Sequence, residues 1–384
     1  MKLRLLLLVA AISVVASAAR VEPARRPRYG GTLRVEIGAA VSSLDAAAPA
    51  ANAEEAEAKR QIDALIYEAN ASAKSSELTG PFRISEWQPG KLLTLAANED
   101  YRGGRPFLDA VEIQMGRASR DRMVDLELNK ADFAEIAPEQ ARRAGERGIH
   151  VSASKPDELL ALIFPTGRPA TDDARVREAI ERSVDRASIV NFILQREGEA
   201  AGGALPQWSS GTAFLFPTTA DATHAKEIWA QIAPSPKIVL GYDAGDSLEQ
   251  SVAERIAVNA REAGIVLTVQ AIGASEAAAA SAADARLIRW SMPSPHPREA
   301  LAGLQQQLAA LGFADSSITG GMAEKATTQQ VFEREQMILN GYRIVPLVWL
   351  PHVYGLSARV RDWQAPEPGA GWPLADVWIE GNAP

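Results

Sequence analysis

The chain has 384 residues, about twice the length that one hydrophobic core usually serves, and its 47% apolar and 23% charged content excludes disordered and fibrous classes; two domains or lobes are expected. A formal charge of −8 argues against general nucleic-acid binding, which draws its affinity from neutralised phosphates. The absence of cysteine excludes disulfides, thiolate metal sites and a lipid-modified cysteine.

Residues 1–18 read as a cleaved signal peptide. Lys2 and Arg4 precede an apolar run from Leu5 to Val15, and the small residues Ala16 and Ala18 follow it. The run is short for a membrane span. The mature chain is therefore expected free in an exported compartment, most simply a bacterial periplasm. Residues 19–29 form a basic leader whose Arg20, Arg25, Arg26 and Arg28 read as a solvated tail.

Residues 31–37 alternate apolar and polar side chains and predict a strand. An Ala- and Glu-rich segment, 53–69, predicts a helix with Ile62, Leu65 and Ile66 on one face. Strands at 82–87 and 92–98, split by Gln88, Pro89 and Gly90, predict a hairpin. Strands at 111–115, 132–136 and 149–153 then alternate with helices at 119–130 and 138–147, a pattern of parallel strands covered by helices. The apolar run 159–165 reads as a central strand.

A long helix is expected from Thr171 or Asp172 through 194, followed by a Gly- and Pro-rich loop, 198–217. Residues 237–243, 247–263, Gly264 and 265–272 read as strand, helix, glycine C-cap and parallel strand. The next strand, 285–290, ends on Trp290 and enters the loop of "LIRWSMPSPHPREA", where Pro293, Pro295 and Pro297 hold Met292, Ser294 and His296 extended. Open α/β sheets bind ligands beyond the carboxyl ends of their strands, which is where this loop falls. Helices at 298–311 and 327–340 precede strands at 342–351 and 353–360, read as the chain crossing back to complete the first lobe's sheet.

No G-x-S-x-G, Walker A, G-x-G-x-x-G or H-E-x-x-H motif occurs, and the four histidines show no ligand-like spacing. Carboxylates are plentiful, but nothing singles out a catalytic pair. Neither a cofactor nor a metal is expected.

Three stretches, "RYGGTLRVEIGAAVSSLDAA" from Arg28, "LTGPFRISEWQPGKLLTLAANEDYRGGRPFLDAVEIQ" from Leu78 and "TDDARVREAIERSVDRASIV" from Thr171, resemble signature regions of the extracellular solute-binding proteins of family 5. These are the peptide, nickel and oligosaccharide receptors of ABC importers. The C-terminal "EREQMILNGYRIVPLVWLPHVYGLSARVRDWQ" is also similar to theirs. The resemblance implies an α/β fold of two lobes, periplasmic-binding-protein-like (type II), with mixed sheets and crossing hinge segments. Lobe I is expected over 30–166 plus 346–384 and lobe II over 167–345. The implied function is capture of a peptide-like or other small organic solute between the lobes, for an inner-membrane ABC permease, by a monomer without catalytic residues. A degenerate relative acting as sensor or interaction protein, or a secreted hydrolase, stays open as an alternative.

Two departures stand out. Only "ASAKSSE" occupies the place, between 70 and 78, where family members usually carry an additional peripheral region, so the chain resembles a short member without that domain. Peptide-binding members also usually carry an aspartate three residues after the tryptophan, and here that position is Pro293, with His296 at a second acidic position. The expected ligand-facing residues are Trp290, Ser294, His296, Ser43, Leu44 and Trp208; for Trp290, core packing is the alternative.

Overall fold

The computed structural model describes residues 26–45, 48, 50, 53–67, 79–211, 216–273, 283–313, 315–323 and 325–381. The expected signal peptide, the leader up to residue 25 and the 71–77 segment lie outside the described residues.

The described residues build two large sheets and a small two-stranded one, in which Val360–Arg361 pairs antiparallel with Trp378–Ile379. The first contains β1 (Thr32–Glu36), β2 (Phe82–Gln88), β3 (Leu92–Ala97), β4 (Ala110–Gln114), β5 (Phe133–Ile136), β6 (His150–Ala153) and β13 (Val353–Leu356), in the order β2-β3-β4-β1-β5-β13-β6. β2 and β3 form the expected antiparallel hairpin, whose turn needs the positive φ of Gly90. β1 runs parallel to β4 and β5, while β13 enters antiparallel between β5 and β6. Leu33, Val35, Leu93, Leu95, Val111 and Ile113 alternate inward and meet Ile62, Leu65 and Ile66 of α1 (Ala53–Ile66), the face expected from the sequence.

The second sheet contains β7 (Glu158–Ile163), β8 (Glu199–Ala200), β9 (Ile238–Asp243), β10 (Leu267–Ile272), β11 (Ala285–Ser291) and β12 (Ile344–Leu350), in the order β10-β9-β11-β7-β12-β8. β7 is central and every residue of it is buried, which explains its unbroken apolar run. Leu160 and Leu162 point to one face, covered by α4 (Ala174–Ser183) and α8 (Ser247–Glu262). Leu159, Ala161 and Ile163 point to the other, covered by α9 (Pro297–Ala310) and α11 (Thr328–Leu339). Between them in the chain lie the short helices α5 (Arg186–Ser188), α6 (Gln207–Ser210), α7 (Ala222–Trp229) and α10 (Ser316–Thr319), and in the first lobe α2 (Ser119–Glu127) and α3 (Ala141–Glu146). The β9-α8-β10 crossover forms as expected: Asp246 accepts from the N–H groups of Leu248 (2.8 Å) and Glu249 (3.0 Å), β9 and β10 are parallel, and Gly264 ends the helix at φ +82°.

Two expectations need correction. The strand at 342–351 does not join the first sheet: β12 pairs with β7 and β8, so the second sheet extends beyond the expected boundaries at 166/167 and 345/346 by one strand on each side. Both strands are buried on both faces, and an apolar run carries no mark of which sheet it joins. The long helix expected to 194 breaks at Val184, whose ψ of 118° is extended, because Asp185 caps a new turn by accepting from Ser188 N (3.1 Å).

Candidate functional site

The chain passes between the sheets twice, at 154–157 between β6 and β7 and at 351–352 between β12 and β13. The crossings are tied to each other. Ser154 N donates to His352 O (2.9 Å), His352 N donates to Ser154 Oγ (3.0 Å), and Asp157 N donates to Leu350 O (3.0 Å). The end of β11 is tied to the same place, since Met292 N donates to Asp157 O (2.9 Å). Two short crossings joined this way form a hinge about which packed lobes can turn as bodies.

Ionisable groups from both lobes converge on this hinge. His352 Nε2 lies 3.7 Å from Asp157 Oδ1, and both feel Glu57 of α1. Burial raises Asp157 to about 6, with His352 opposing, and raises Glu135 of β5 to about 7 against Arg122 and His352. Burial works against the charge on His352, but Asp157, Glu158, Glu57 and Glu135 outweigh it and hold the imidazole above its ordinary value. Burial likewise opposes ionisation of Glu57, yet Arg60 and His352 prevail and keep it below the usual carboxylate range.

From the second lobe, Arg289 of β11 donates from Nε to Glu158 Oε1 (2.9 Å) and from Nη1 to Asp246 Oδ2 (2.9 Å). Glu139, just after β5 in the first lobe, is close enough to feel both Arg289 and Asp246. The end of β5 therefore faces the carboxyl ends of β9 and β11, where α/β sheets bind ligands. Among the described residues, Glu139 Oε2, His352 Nε2 and Gln61 Oε1 are buried without a hydrogen-bond partner. Such atoms cost free energy until a partner reaches them, so the junction is chemically suited to a polar or charged guest.

The residues expected from the sequence divide. Trp290 is only 4% exposed and packs edge-on against Trp349 at 6.2 Å, inside the core between β7, β11 and α9. It supports the proline loop from behind and offers no open ring face; the residues of β11 alternate, and Trp290 shares its face with Ile288. Ser294 is half-buried, donates to Glu299 Oε2 (2.6 Å) and accepts from His296 N (3.2 Å), so its hydroxyl shapes the loop. His296 is exposed at the N-cap of α9 and lines a cavity of about 170 Å³ inside the second lobe. In the first lobe Ser43 Oγ accepts from Asp45 N (3.1 Å), and Leu44 packs on the core.

Trp208, on α6, does reach the hinge: its Nε1 donates to Pro156 O (2.9 Å), and Lys155 Nζ stands 5.5 Å from its ring centre. Lys155 also pairs with Glu367 at 2.8 Å. Glu367 belongs to a C-terminal loop that covers the proline loop. A Cβ on Gly369 would meet Pro293 O at 2.1 Å, and one on Gly371 would meet Ala64 Cβ of α1 at 2.0 Å, so both glycines are needed for this close approach. Arg289, which flanks the end of the predicted strand 285–290, was legible as a cation that could meet an anionic group; the junction residues that sequence reading missed, Glu57, Glu135, Asp157 and His352, come from four separate segments. The only local signal was His352 between two predicted strands, next to Pro351.

Among the described residues, no group of three or more His, Cys, Asp or Glu side chains is placed to hold a metal ion, and no helix is long and apolar enough to cross a membrane.

Comparison with known proteins gives a consistent picture. A family model described as bacterial extracellular solute-binding proteins, family 5 Middle, matches residues 37–312. The probable D,D-dipeptide-binding periplasmic protein DdpA of Escherichia coli (strain K12) is 27% identical over 167 residues, 43% of this chain and 32% of that protein. The oligopeptide-binding protein AppA of Bacillus subtilis (strain 168) is 29% identical over 126 residues, 32% of this chain and 23% of that protein. The matches thus span a third or less of these relatives' lengths. Among solved structures, the periplasmic binding protein DppA from Helicobacter pylori, in complex with the peptide STSA, aligns with a TM-score of 0.72 at 14% identity, covering 92% of this chain and 99% of that one. NikA from Staphylococcus aureus, in complex with Ni(L-His)2, aligns with a TM-score of 0.67 at 17% identity, covering 81% and 72%. At these identities the likeness shows the fold, the two-lobed α/β architecture of periplasmic binding proteins.

Proposed function

Because the chain belongs to the bacterial extracellular solute-binding proteins, family 5, we propose that it is the substrate-binding component of an ABC importer, capturing a peptide-like or other small organic solute between its lobes. The observation that carries this reading is the hinge. Two crossings, paired through Ser154 and His352, join lobes whose facing ends bring Glu139 opposite Arg289 and Asp246, while Glu135 faces His352 of the crossing itself. A solute touching both ends stabilises the closed arrangement by its differential affinity, and a permease can recognise that arrangement. In this reading the protein is exported to the periplasm without a lipid anchor, acts as a monomer and performs no chemistry on its ligand.

The residues proposed to meet the ligand are His352, Glu135 and Glu139, with Trp208 and Lys155 forming the hinge-side wall. Glu139 Oε2 and His352 Nε2, which lack a hydrogen bond among the described residues, suit a guest with both a donor and an acceptor, as a peptide has. Relatives named for dipeptides and oligopeptides point to the same class. A thermal-shift series of di- to pentapeptides tests it. At about 100 times its dissociation constant a true ligand adds about 2.7 kcal/mol of stability. No shift with any member of the series would reject the reading.

A further inference from the structure

We propose that the second lobe carries a ligand site of its own, between α6, α9 and α11, for a small zwitterion with an apolar side chain, such as a free aliphatic amino acid, with its ammonium on Glu335 and its carboxylate at Arg298 and His296. The site is the cavity of about 170 Å³ that His296 lines. Its walls include Leu205, Val331 and Phe332, its deep polar group is Glu335, and Arg298 and His296 belong to the N-terminal end of α9. All the lining residues belong to the second lobe, so the site needs no closure and goes beyond the interlobe reading.

Charge is the first argument. Glu335 is only 2% exposed and forms no ion pair among the described residues; Oε1 accepts from Leu205 N at 2.9 Å. Burial raises its carboxyl to about 7, the N–H groups of Leu205 and Ala204 pull the other way, and no cation contributes. A buried carboxyl lining an open cavity without a counter-charge is the environment an ammonium group completes. The outer part of the cavity has the opposite sign through Arg298, whose one ion-pair partner among the described residues is Glu299, at 3.7 Å, and the exposed His296 adds ring nitrogens beside it. A ligand with positive charge inward and negative charge outward satisfies both, and a bare amine or a bare carboxylate satisfies one. Size is the second argument. A cavity of roughly 150 Å³ accepts a six-carbon ring, so this one suits a ligand of about six to eight heavy atoms.

Isothermal titration calorimetry with L-valine, isobutylamine and isobutyrate tests the proposal on the full chain. Saturable binding of L-valine is expected, with each half-ligand weaker by at least about tenfold, the worth of one charge-assisted bond. Glu335→Gln keeps an acceptor for Leu205 N and should weaken L-valine at least about tenfold. Arg298→Ala, at a partly exposed position where folding is not at risk, should weaken it as well. The radius of gyration by X-ray scattering should stay unchanged on L-valine addition. The proposal is overturned by absence of heat with L-valine, by isobutylamine binding as tightly, by either variant leaving the affinity unchanged, or by L-valine contracting the protein, which would place it between the lobes.

Discussion

Glu249 offers a sharp test of how the carboxyl ends of the second sheet are held. It lies in the first turn of α8, is 4% exposed, and its Oε2 accepts from Asp243 N at 2.8 Å. Burial first, and then the neighbouring carboxylates of Asp246 and Asp243, raise it from 4.5 to about 7 against the pull of Asp243 N–H and Arg289. The folded state therefore holds this proton more tightly than the unfolded chain. The stabilisation is complete below about pH 4.5 and is lost as the pH rises through about 7. At about 1.4 kcal/mol per pH unit the loss is at most ~3.5 kcal/mol, and relaxation around the buried charge reduces it to about 1–2 kcal/mol. Glu249→Gln keeps an acceptor for Asp243 N and removes the charge. Urea unfolding should find the variant more stable than the parent by about 1–2 kcal/mol near pH 8, and equal to it near pH 4.5. A variant less stable at the higher pH, or a difference that does not change with pH, would refute this account of Glu249.

Other substitutions test the packing. Arg186, 1% exposed, pairs with Glu181 at 3.1 Å and donates to Pro346 O at 2.8 Å, so Arg186→Leu should cost about 3–5 kcal/mol in chemical denaturation by leaving Glu181 unpaired. Adding Glu181→Leu should recover part of that loss. Trp290→Ala should also cost about 3–5 kcal/mol as a core truncation, and a loss below about 1 kcal/mol would contradict the placement of its ring. Gly369→Ala should lower the melting temperature more than Gly104→Ala. Both have positive φ, but only Gly369 has a backbone carbonyl, that of Pro293, in the path of a Cβ.

Local pattern carried much of the fold. The βαβ unit at 238–272 was legible because Asp246 and Gly264 bracket an amphipathic helix, and the hairpin was legible from Pro89 and Gly90. Pairing was not local. β7 and β12 are buried on both faces, so nothing in their composition assigned them to the second sheet, and the lobe boundaries moved accordingly. The break at Val184 depended on Asp185 capping a new turn inside a run whose apolar periodicity continues past it. At the site, the tryptophan and proline loop drew attention by composition, yet Trp290 turned out to face the core. The charged junction was invisible because Glu57, Glu135, Asp157 and His352 meet only once β13 slots in beside β5 and the two crossings pair. Burial and unlike neighbours are what perturb these groups, and neither is written in any one segment.

The central claim is that a solute bound between the lobes closes them about the 154–157 and 351–352 crossings. Small-angle X-ray scattering of the full chain, with and without the peptide giving the largest thermal shift, measures this directly. The account predicts a smaller radius of gyration with that peptide, and no contraction for Glu139→Arg, which places a cation opposite Arg289. A bound peptide that leaves the scattering profile unchanged would contradict it.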